Sequence, residues 1–426
     1  EVTRNWLPTV TISPLDATAS EPGVDVGTLR VARATAVPQG QAGALSVSYQ
    51  YSGSAANGSD LVTLPGSISI PPEGAQADIT ITPLNDPVNE ALENVILTLS
   101  TSTFVQIGSP SSGTVNISDD DPVGFEVSTS SISLVLPPTT SVTTEAGGAF
   151  TVFVRLKSRP TATLTLPISS SAISEAIAST PSLSFLGTGS DWSTWKPVTV
   201  TGVDDPYDDG DTPYTLRFGA AVTTDTNYAG LHPQDLNCNN TDNDTPGVTV
   251  SQTGGSLSVT EAAGANHSDT YTILLNCAPP NGTTVTISVA SDSQTTVSPA
   301  TLTYNDSNWN SLVNHAITVT AVDDSVDELL NHTSIISHSV ANYGTVSVPN
   351  QACTVVDDDT ASIVLVPVGG TSTSEAGGQV KLAVTLATRP AQPVTISLTR
   401  SSTEGALSTS SLTFGCLLYT SPSPRD

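Results

Sequence analysis

The chain of 426 residues has room for several cores, because single domains commonly hold about 100–150 residues. It is 37% hydrophobic and only 12% charged, with 31 Gly and 30 Pro, which favours many short strands joined by turns over long helices. Twelve basic against 40 acidic residues give a net charge of −28, which argues against nucleic acid or anionic lipid as a partner and favours cations.

Targeting signals are missing from the sequence. No run of about 18 apolar residues occurs, so we predict no membrane span. A basic–apolar leader typical of secretion is also missing. The chain begins at Glu1 and contains no Met, so we expect the natural protein to be longer. Abundant Thr and Ser, strong acidity and only four Cys favour a bacterial extracellular or cell-surface protein.

Three segments with the same order of strands and acidic loops follow one another along the chain. The first, repeat one (residues 7–122), alternates apolar and polar residues with period two, which predicts half-buried strands. Its elements in order are Ser20-Glu21-Pro22-Gly23, Gly58-Ser59-Asp60, a strand over 77–84, an acidic loop over 85–93, strands over 94–99 and 113–118, and the closing acids Asp119-Asp120-Asp121.

Repeats two (residues 123–244) and three (residues 245–359) contain the same elements. Those of repeat two are Thr144-Glu145-Ala146-Gly147-Gly148, a strand over 196–203, an acidic loop over 204–211 and the closing Asp242-Asn243-Asp244. Those of repeat three are Thr260-Glu261-Ala262-Ala263-Gly264, a strand over 316–322, the acidic loop Asp323-Asp324-Ser325-Val326-Asp327-Glu328, a strand over 352–356 and the closing Asp357-Asp358-Asp359.

A nearly constant period indicates a tandem array of one module. The first glutamates, Glu21, Glu145, Glu261 and Glu375, are separated by 124, 116 and 114 residues, and the closing acids by 123 and 115. A sandwich domain takes about 100 residues, so each period fits one sandwich. We therefore predict an all-β chain of tandem antiparallel β-sandwiches.

The C-terminal part of the chain departs from this pattern. Residues 360–415 contain Thr373-Ser374-Glu375-Ala376-Gly377-Gly378 but stop before an acidic loop, so we predict a truncated fourth repeat that is poorly ordered alone. Residues 416–426 do not continue the repeat. They resemble the translation of an adapter used in sequencing libraries, so we expect this tail not to be native.

The recurrence of acids at the same places of each repeat is explained if a cation binds among them. Calcium takes about 6–8 oxygen ligands, so a site needs several carboxylates from different loops. In an antiparallel sandwich, the Glu phrase opens an early strand and the two acidic blocks end later strands, which places all three at one tip. Without a cation these charges would repel one another and destabilise that tip. We predict Ca²⁺ as the bound cofactor.

The order of these phrases resembles the Calx-beta domain of sodium–calcium exchangers, integrin β4 and large bacterial surface proteins. Repeat one matches best, although Asn85 stands where an Asp is usual. Repeats two and three resemble a sister version without the Gly-Ser-Asp phrase, and repeat two has Asn243 among its closing acids. The resemblance covers residues 7–415 and implies immunoglobulin-like sandwiches that bind calcium at one end.

The candidate metal ligands are the acids at the matching places of the three repeats. In repeat one they are Glu21, Asp60, Asp86, Glu90, Glu93, Asp119, Asp120 and Asp121. In repeat two they are Glu145, Asp204, Asp205, Asp209, Asp211, Asp242 and Asp244. In repeat three they are Glu261, Asp323, Asp324, Asp327, Glu328, Asp357, Asp358 and Asp359.

Other interpretations of the polar residues compete with calcium. Single acidic turns occur because Asp and Asn bond their own backbone, and paired carboxylates occur in glycosidases. A catalytic pair stands once per enzyme, whereas this one recurs in every repeat, so we predict no enzyme. Cys277 and Cys353 are candidates for a disulfide that leaves Cys238 unpaired. The histidines show no ligand spacing and are predicted to be ordinary surface or core residues; they are His232, His267, His315, His332 and His338.

Two classes of function agree with these features. The first is a calcium-stiffened adhesion or spacer stalk on a cell surface, whose partners are calcium ions and other surface proteins or glycans. The second is an accessory region of a secreted enzyme whose catalytic domain lies elsewhere in the natural protein. In a third interpretation, the repeats are structural modules that have lost calcium binding.

Overall fold

The computed structural model describes residues 7–21, 25–33 and 43–416, and these form an almost purely β structure. Its 31 strands are joined by turns, and the helical content is two short 3-10 segments, Asp191–Ser193 and Thr253–Gly255. The predicted all-β class of tandem immunoglobulin-like antiparallel sandwiches is confirmed. Most of the predicted adapter-like tail, residues 417–426, and Pro22-Gly23 of the first Glu phrase lie outside the described residues.

Repeat one forms two sheets. Its strands are β1 (Thr9–Asp16), β2 (Thr18–Ser20), β3 (Gly27–Arg33), β4 (Leu45–Gly53), β5 (Ser67–Ile70), β6 (Gln76–Ile81), β7 (Glu93–Leu99), β8 (Gln106–Ile107) and β9 (Ser112–Ser118). One sheet has the order β6-β3-β1-β8 and the other β2-β9-β7-β4-β5. The short strand β2 runs parallel to the last strand β9, whereas β7 and β9 pair antiparallel.

Repeat two is built in the same way. Its strands are β10 (Phe125–Ser128), β11 (Ser141–Thr144), β12 (Ala149–Leu156), β13 (Leu164–Ser170), β14 (Ala176–Ala178), β15 (Ser182–Phe185), β16 (Lys196–Gly202), β17 (Thr212–Phe218) and β18 (Leu236–Thr241). Its sheets have the orders β10-β12-β16-β14 and β11-β18-β17-β13-β15. The strand β11 runs parallel to β18, as β2 does to β9 in repeat one.

Repeat three has the same two sheets again. Its strands are β19 (Val248–Gln252), β20 (Leu257–Thr260), β21 (Ser268–Leu275), β22 (Val285–Ser291), β23 (Thr295–Ser298), β24 (Thr301–Tyr304), β25 (Ala316–Ala321), β26 (Asn331–Ala341) and β27 (Gln351–Val356). The sheet orders are β19-β21-β25-β23 and β20-β27-β26-β22-β24. Again the short strand β20 runs parallel to the closing strand β27.

Alternating burial explains why these segments form strands. In β7 the side chains of Val95, Leu97 and Leu99 are buried, and the residues between them are half-buried. Such period-two burial places one face of each strand against the facing sheet. Each repeat has its own apolar core between its two sheets, around Ile12 and Leu97 in repeat one.

The chain divides into two compact units. The first contains residues 1–205 and 211–241, and the second contains residues 206–210 and 242–426. Both sheets of repeat two lie in the first unit, and those of repeat three in the second. The domain limits given above from the sequence stay a prediction. No helix among the described residues is long and apolar enough to cross a membrane.

The residues after repeat three form two small, separate sheets. Strands β28 (Ile363–Val368) and β29 (Lys381–Leu386) pair with each other, as do β30 (Val394–Ser397) and β31 (Ser411–Phe414). Every residue of β28 is exposed, including five apolar side chains. In a complete sandwich, the side chains on one face of this strand would be buried against the facing sheet.

Cys277 and Cys353, the candidates for a disulfide, are both free cysteines in the structure. Cys277 follows the end of β21, and its sulfur lies 3.1 Å from the hydroxyl of Tyr343. Cys353 faces the core from within β27, where it pairs with Ser334 and Leu257. Burial raises the pKa of the Cys353 thiol to about 11, so this side chain is an unreactive core residue.

Candidate metal centre

A buried glutamate follows the short parallel strand in each repeat. Glu21, Glu145 and Glu261 are only 6%, 3% and 1% exposed. The backbone N–H of each donates a hydrogen bond of 3.0–3.1 Å to the carbonyl of the residue just before the closing acids. In repeats one and three the strand pairing therefore fixes the carboxylate beside the closing acids, more than 90 residues away in sequence.

In repeat one, this glutamate belongs to the first of two acidic clusters. Oxygen atoms of Glu21, Asp120 and Asp121 lie within 4.8 Å of one another. The acidic loop reaches the same place, since the N–H of Asp86 lies 3.4 Å from Oε2 of Glu21. The predicted meeting of an early glutamate, the acidic loop and the closing acids thus occurs at one end of repeat one.

The second cluster of repeat one joins Asp60, Glu90 and Glu93, again with oxygens within 4.8 Å. Asp60 comes from the Gly-Ser-Asp turn, and its Oδ2 accepts a hydrogen bond from the N–H of Ala56 at 2.6 Å. Glu90 lies in the acidic loop, and Glu93 is the first residue of β7. Two segments that are distant in sequence, the turn at Asp60 and the stretch from Glu90 to Glu93, therefore supply the three carboxylates.

The carboxylates in both clusters repel one another. Burial raises the pKa of Glu21 to about 7, with further contributions from the charges of Asp119 and Glu90. Burial likewise raises the pKa of Glu93 to about 7, helped by Asp60 and Glu90. A bound cation would favour the ionised forms, because an opposite charge nearby lowers the pKa of a carboxylate.

Asn89 is a residue of the repeat-one site that the sequence analysis missed. Its side-chain Nδ2 donates to Oδ2 of Asp119 at 3.0 Å and to the carbonyl oxygen of Asp121 at 2.6 Å. The amide thus ties the acidic loop to the closing acids. The signal for it was its place between Asp86 and Glu90, in a loop whose acidic residues are all predicted ligands.

Repeat three contains the counterpart of the first cluster. Oxygens of Glu261, Asp358 and Asp359 lie within 4.8 Å of one another, as do those of Glu21, Asp120 and Asp121 in repeat one. Burial raises the pKa of Glu261 to about 7, and the charges of Asp357 and Glu328 add to this.

The second cluster of repeat three differs in composition, because it joins Glu261 and Glu328 to His332. Nε2 of His332 lies 3.2 Å from Oε2 of Glu328 and 3.9 Å from Oε1 of Glu261. His332 was predicted to be an ordinary surface or core residue, and the structure places its ring beside two acids. Gln294 also contacts this group, as its Nε2 donates to Glu328 Oε2 at 2.7 Å.

Other predicted ligands of repeat three hold the loops in shape. Asp324 Oδ1 accepts the N–H of Val326 at 2.7 Å, as Asp86 Oδ1 accepts that of Val88 in repeat one. Asp357 accepts from the N–H groups of Glu328 and Asp359. Asp327 accepts from Ala361 and belongs to none of the clusters, while Asp323 adds its charge near Asp359.

The predicted ligands of repeat two fall on both compact units. Glu145, Asp204, Asp205 and Asp211 belong to the first unit, and Asp209, Asp242 and Asp244 to the second. Within the second unit, Oδ1 of Asp242 accepts the N–H of Asp244 at 2.8 Å.

The donor chemistry of the clusters fits a hard cation. Carboxylate oxygens are the preferred ligands of calcium. Three buried carboxylate oxygens have no hydrogen-bond partner among the described residues: Asp119 Oδ1 in repeat one, and Glu261 Oε2 and Asp359 Oδ2 in repeat three. A buried polar atom without a partner is costly, and a metal ion bound in each of these two repeats would supply the missing partner.

The comparison with known families supports this assignment for repeat one. Its residues 8–121 match the model of the Calx-beta domain. Calx-beta domains are calcium-binding modules, so the resemblance seen in the sequence is confirmed where the family model matches. Repeats two and three share its strand order in both sheets, apart from one edge strand of the smaller sheet.

Solved structures similar to the chain include two Calx structures and a bacterial integrin-binding protein. CBD12 from CALX1.2 is 21% identical over 51% of this chain and 83% of its own, with a TM-score of 0.25. The apo form of the Calx CBD1 domain is 26% identical over 26% of this chain and 98% of its own, with a TM-score of 0.21. Invasin, a bacterial integrin-binding protein, is 12% identical over 88% of this chain and 67% of its own, with a TM-score of 0.25. No curated protein matches the chain significantly.

A charge-removing substitution tests the first cluster of repeat three. Asp358→Asn keeps the shape of the side chain but removes one carboxylate beside Glu261, so we expect calcium affinity at this site to fall about tenfold, or 1.4 kcal/mol. The stability of the calcium-free protein should not fall, because one repulsive charge is lost. Titration calorimetry on the full chain measures both claims when combined with thermal melting in chelator.

The matched control for this experiment is Asp306→Asn in the same repeat, since Asp306 is exposed and belongs to no cluster. If the two variants bound calcium alike, the first cluster of repeat three would not be a ligand set.

Proposed function

We propose that the chain is a calcium-binding segment of a bacterial extracellular or cell-surface protein, in which calcium stiffens a string of sandwiches that serves as an adhesion or spacer stalk. Its Calx-beta module belongs to a class of non-catalytic binding domains, and we propose no enzymatic role for the chain. The partners are calcium ions and other surface proteins or glycans.

The observation that carries this proposal is the double role of the acidic loop in repeat one. Besides its acids, the loop contacts repeat two within the same compact unit. The carbonyl of Pro87 accepts the N–H of Arg159 at 2.6 Å, and the Arg159 guanidinium lies 3.3 Å from Oδ2 of Asp86. The carbonyl of Asn89 accepts Nδ2 of Asn227 at 3.0 Å.

The acidic loop of repeat three makes the equivalent contacts with the residues that follow it. The carbonyl of Ser325 accepts the N–H of Arg389 at 2.6 Å, and Asp327 accepts the N–H of Ala361 at 2.9 Å. Arg159 and Arg389 both precede a proline in the turn after a strand. An ion that orders the acidic loop therefore also orders the surface on which the next module rests.

Solution scattering on the full chain tests the stalk. With calcium, we expect a larger maximum dimension and a narrower distance distribution than with chelator, because free carboxylates repel and loosen the contacts between modules. Asp120→Asn should reduce the calcium effect, whereas Asp16→Asn, an exposed residue outside the clusters, should not. Identical profiles at matched ionic strength would mean that packing alone sets the junctions.

A further inference from the structure

We propose that the second cluster of repeat three, formed by Glu261, Glu328 and His332, is a binding site for zinc or a similar first-row transition cation. This inference rests on the proposed cation-binding role of the acidic loops, and it assigns one of them a different metal. The three side chains come from the end of β20, the acidic loop and the start of β26, and their donor atoms lie within 4.8 Å of one another.

His332 occupies the place of a carboxylate in repeat one. Glu93 pairs with Ile117, two residues before the closing acids, and His332 pairs with Val355, also two residues before them. The corresponding residue of repeat two is Thr212. Repeat three therefore has an imidazole where the Calx-beta module has a carboxylate ligand candidate.

The change of donor alters the metal that fits. Calcium requires about 6–8 oxygens, and the three-residue cluster around His332 offers two carboxylates and a nitrogen. Imidazole suits zinc, copper, iron and nickel, and zinc commonly takes three protein ligands drawn from His and carboxylates, with water in the fourth position. The set found here has that composition.

Two independent observations point to a ligand in this cluster. Glu261 is 1% exposed, and its Oε2 has no hydrogen-bond partner among the described residues. The ring of His332 also presents an acceptor, because Gln294 Nε2 lies 3.0 Å from its Nε2 and can only donate there. The same Nε2 lies 3.2 Å from Oε2 of Glu328 and 3.9 Å from Oε1 of Glu261, so this nitrogen lies beside both carboxylates.

Gln294 supports the carboxylate as well. Its Nε2 donates to Glu328 Oε2 at 2.7 Å, and carboxylates that bind metals are usually oriented by such a partner. Zinc would replace the contact of Gln294 with His332 and retain the contact with Glu328. Asp358 and Asp359 contact the same Glu261 in the first cluster, so calcium and zinc would use different groups around one shared carboxylate.

Zinc binding to the full chain, measured by calorimetry with excess calcium present, tests this inference. Cys416→Ser is made in every variant, because Cys416 is the cysteine that is not buried. We expect one zinc site per chain, a loss of at least tenfold in zinc affinity for His332→Asn, and no loss for His232→Asn, an exposed histidine of repeat two. X-ray absorption of bound zinc should show one imidazole nitrogen.

The exchange of His and Glu provides the sharpest comparison. His332→Glu should lose zinc and gain calcium affinity, and Glu93→His should gain zinc in repeat one. Unchanged zinc affinity in His332→Asn, or displacement of zinc by equal concentrations of calcium, would overturn the proposal. A chain that binds zinc through His332 but shows no calcium binding would support the zinc site and refute the proposed calcium function.

Discussion

Calcium is expected to raise the melting temperature of repeat one by about 10–20 °C. A ligand at a hundred times its dissociation constant adds about 2.7 kcal/mol to the free energy of unfolding, and 1 kcal/mol shifts the melting of a small domain by about 4–8 °C. Extracellular calcium modules bind with a dissociation constant of about 10⁻⁴–10⁻³ M. Calorimetry of the full chain in 10 mM calcium, about a hundredfold above the tighter value, and in chelator measures the shift.

The variant Glu21→Gln identifies the transition that belongs to repeat one. It removes a buried carboxylate, so the calcium-free protein should melt at the same or a higher temperature while the response to calcium is lost. Asp78→Asn is the control, because Asp78 is paired with Arg30 on β3 and belongs to no acidic cluster. Equal melting profiles with calcium and with chelator would remove calcium binding from the proposed function.

The second large effect is a dependence of calcium affinity on pH. The pKa values of Glu21 and Glu93 are raised to about 7 in the folded protein, above the ordinary value of 4.5. Calcium needs the ionised carboxylates, so each such group must release its proton. For one group with a pKa of about 7, affinity should rise about 20-fold between pH 5.5 and 7.5 and then level off.

The stability of the calcium-free protein should change in the opposite direction. Below the unfolded pKa both states are protonated, and between about 4.5 and 7 only the unfolded state has lost its proton. The free energy of unfolding therefore falls as pH rises through this window. Glu21→Gln should remove the part of the pH dependence that Glu21 contributes, both for calcium affinity and for the stability of the calcium-free protein. Calcium affinity that is equal at pH 5.5 and 7.5 would contradict the raised pKa values.

The strands could be predicted from the sequence because the alternation of buried and exposed residues lies within each strand itself. The strand predicted over 94–99 is β7 (Glu93–Leu99), and that over 113–118 is β9 (Ser112–Ser118). The strand predicted over 352–356 is β27 (Gln351–Val356). Each alternates apolar and polar residues between turn residues, so a period of two is visible without knowledge of its partner.

The composition of the clusters could be predicted only in part. The repeated spacing brought Glu21, Asp120 and Asp121 together correctly, because each follows a strand that ends at the same tip. His332 was missed because its place depends on a pairing with Val355, and such a register is not written in the spacing of acids. The distance between Asp324 and His332 is also one residue longer than that between Asp86 and Glu93, which hid the correspondence.

The parallel pairing of β2 with β9, repeated in β11 with β18 and β20 with β27, determines how a module would bear mechanical load. The early strand and the last strand point the same way, so force pulling the two ends of a module apart drags them past each other along their axes. All hydrogen bonds of the pair are then strained together, whereas in an antiparallel hairpin they would open one after another. The acidic tip lies directly after both strands, so an ion bound there would clamp the end of this shear-loaded joint.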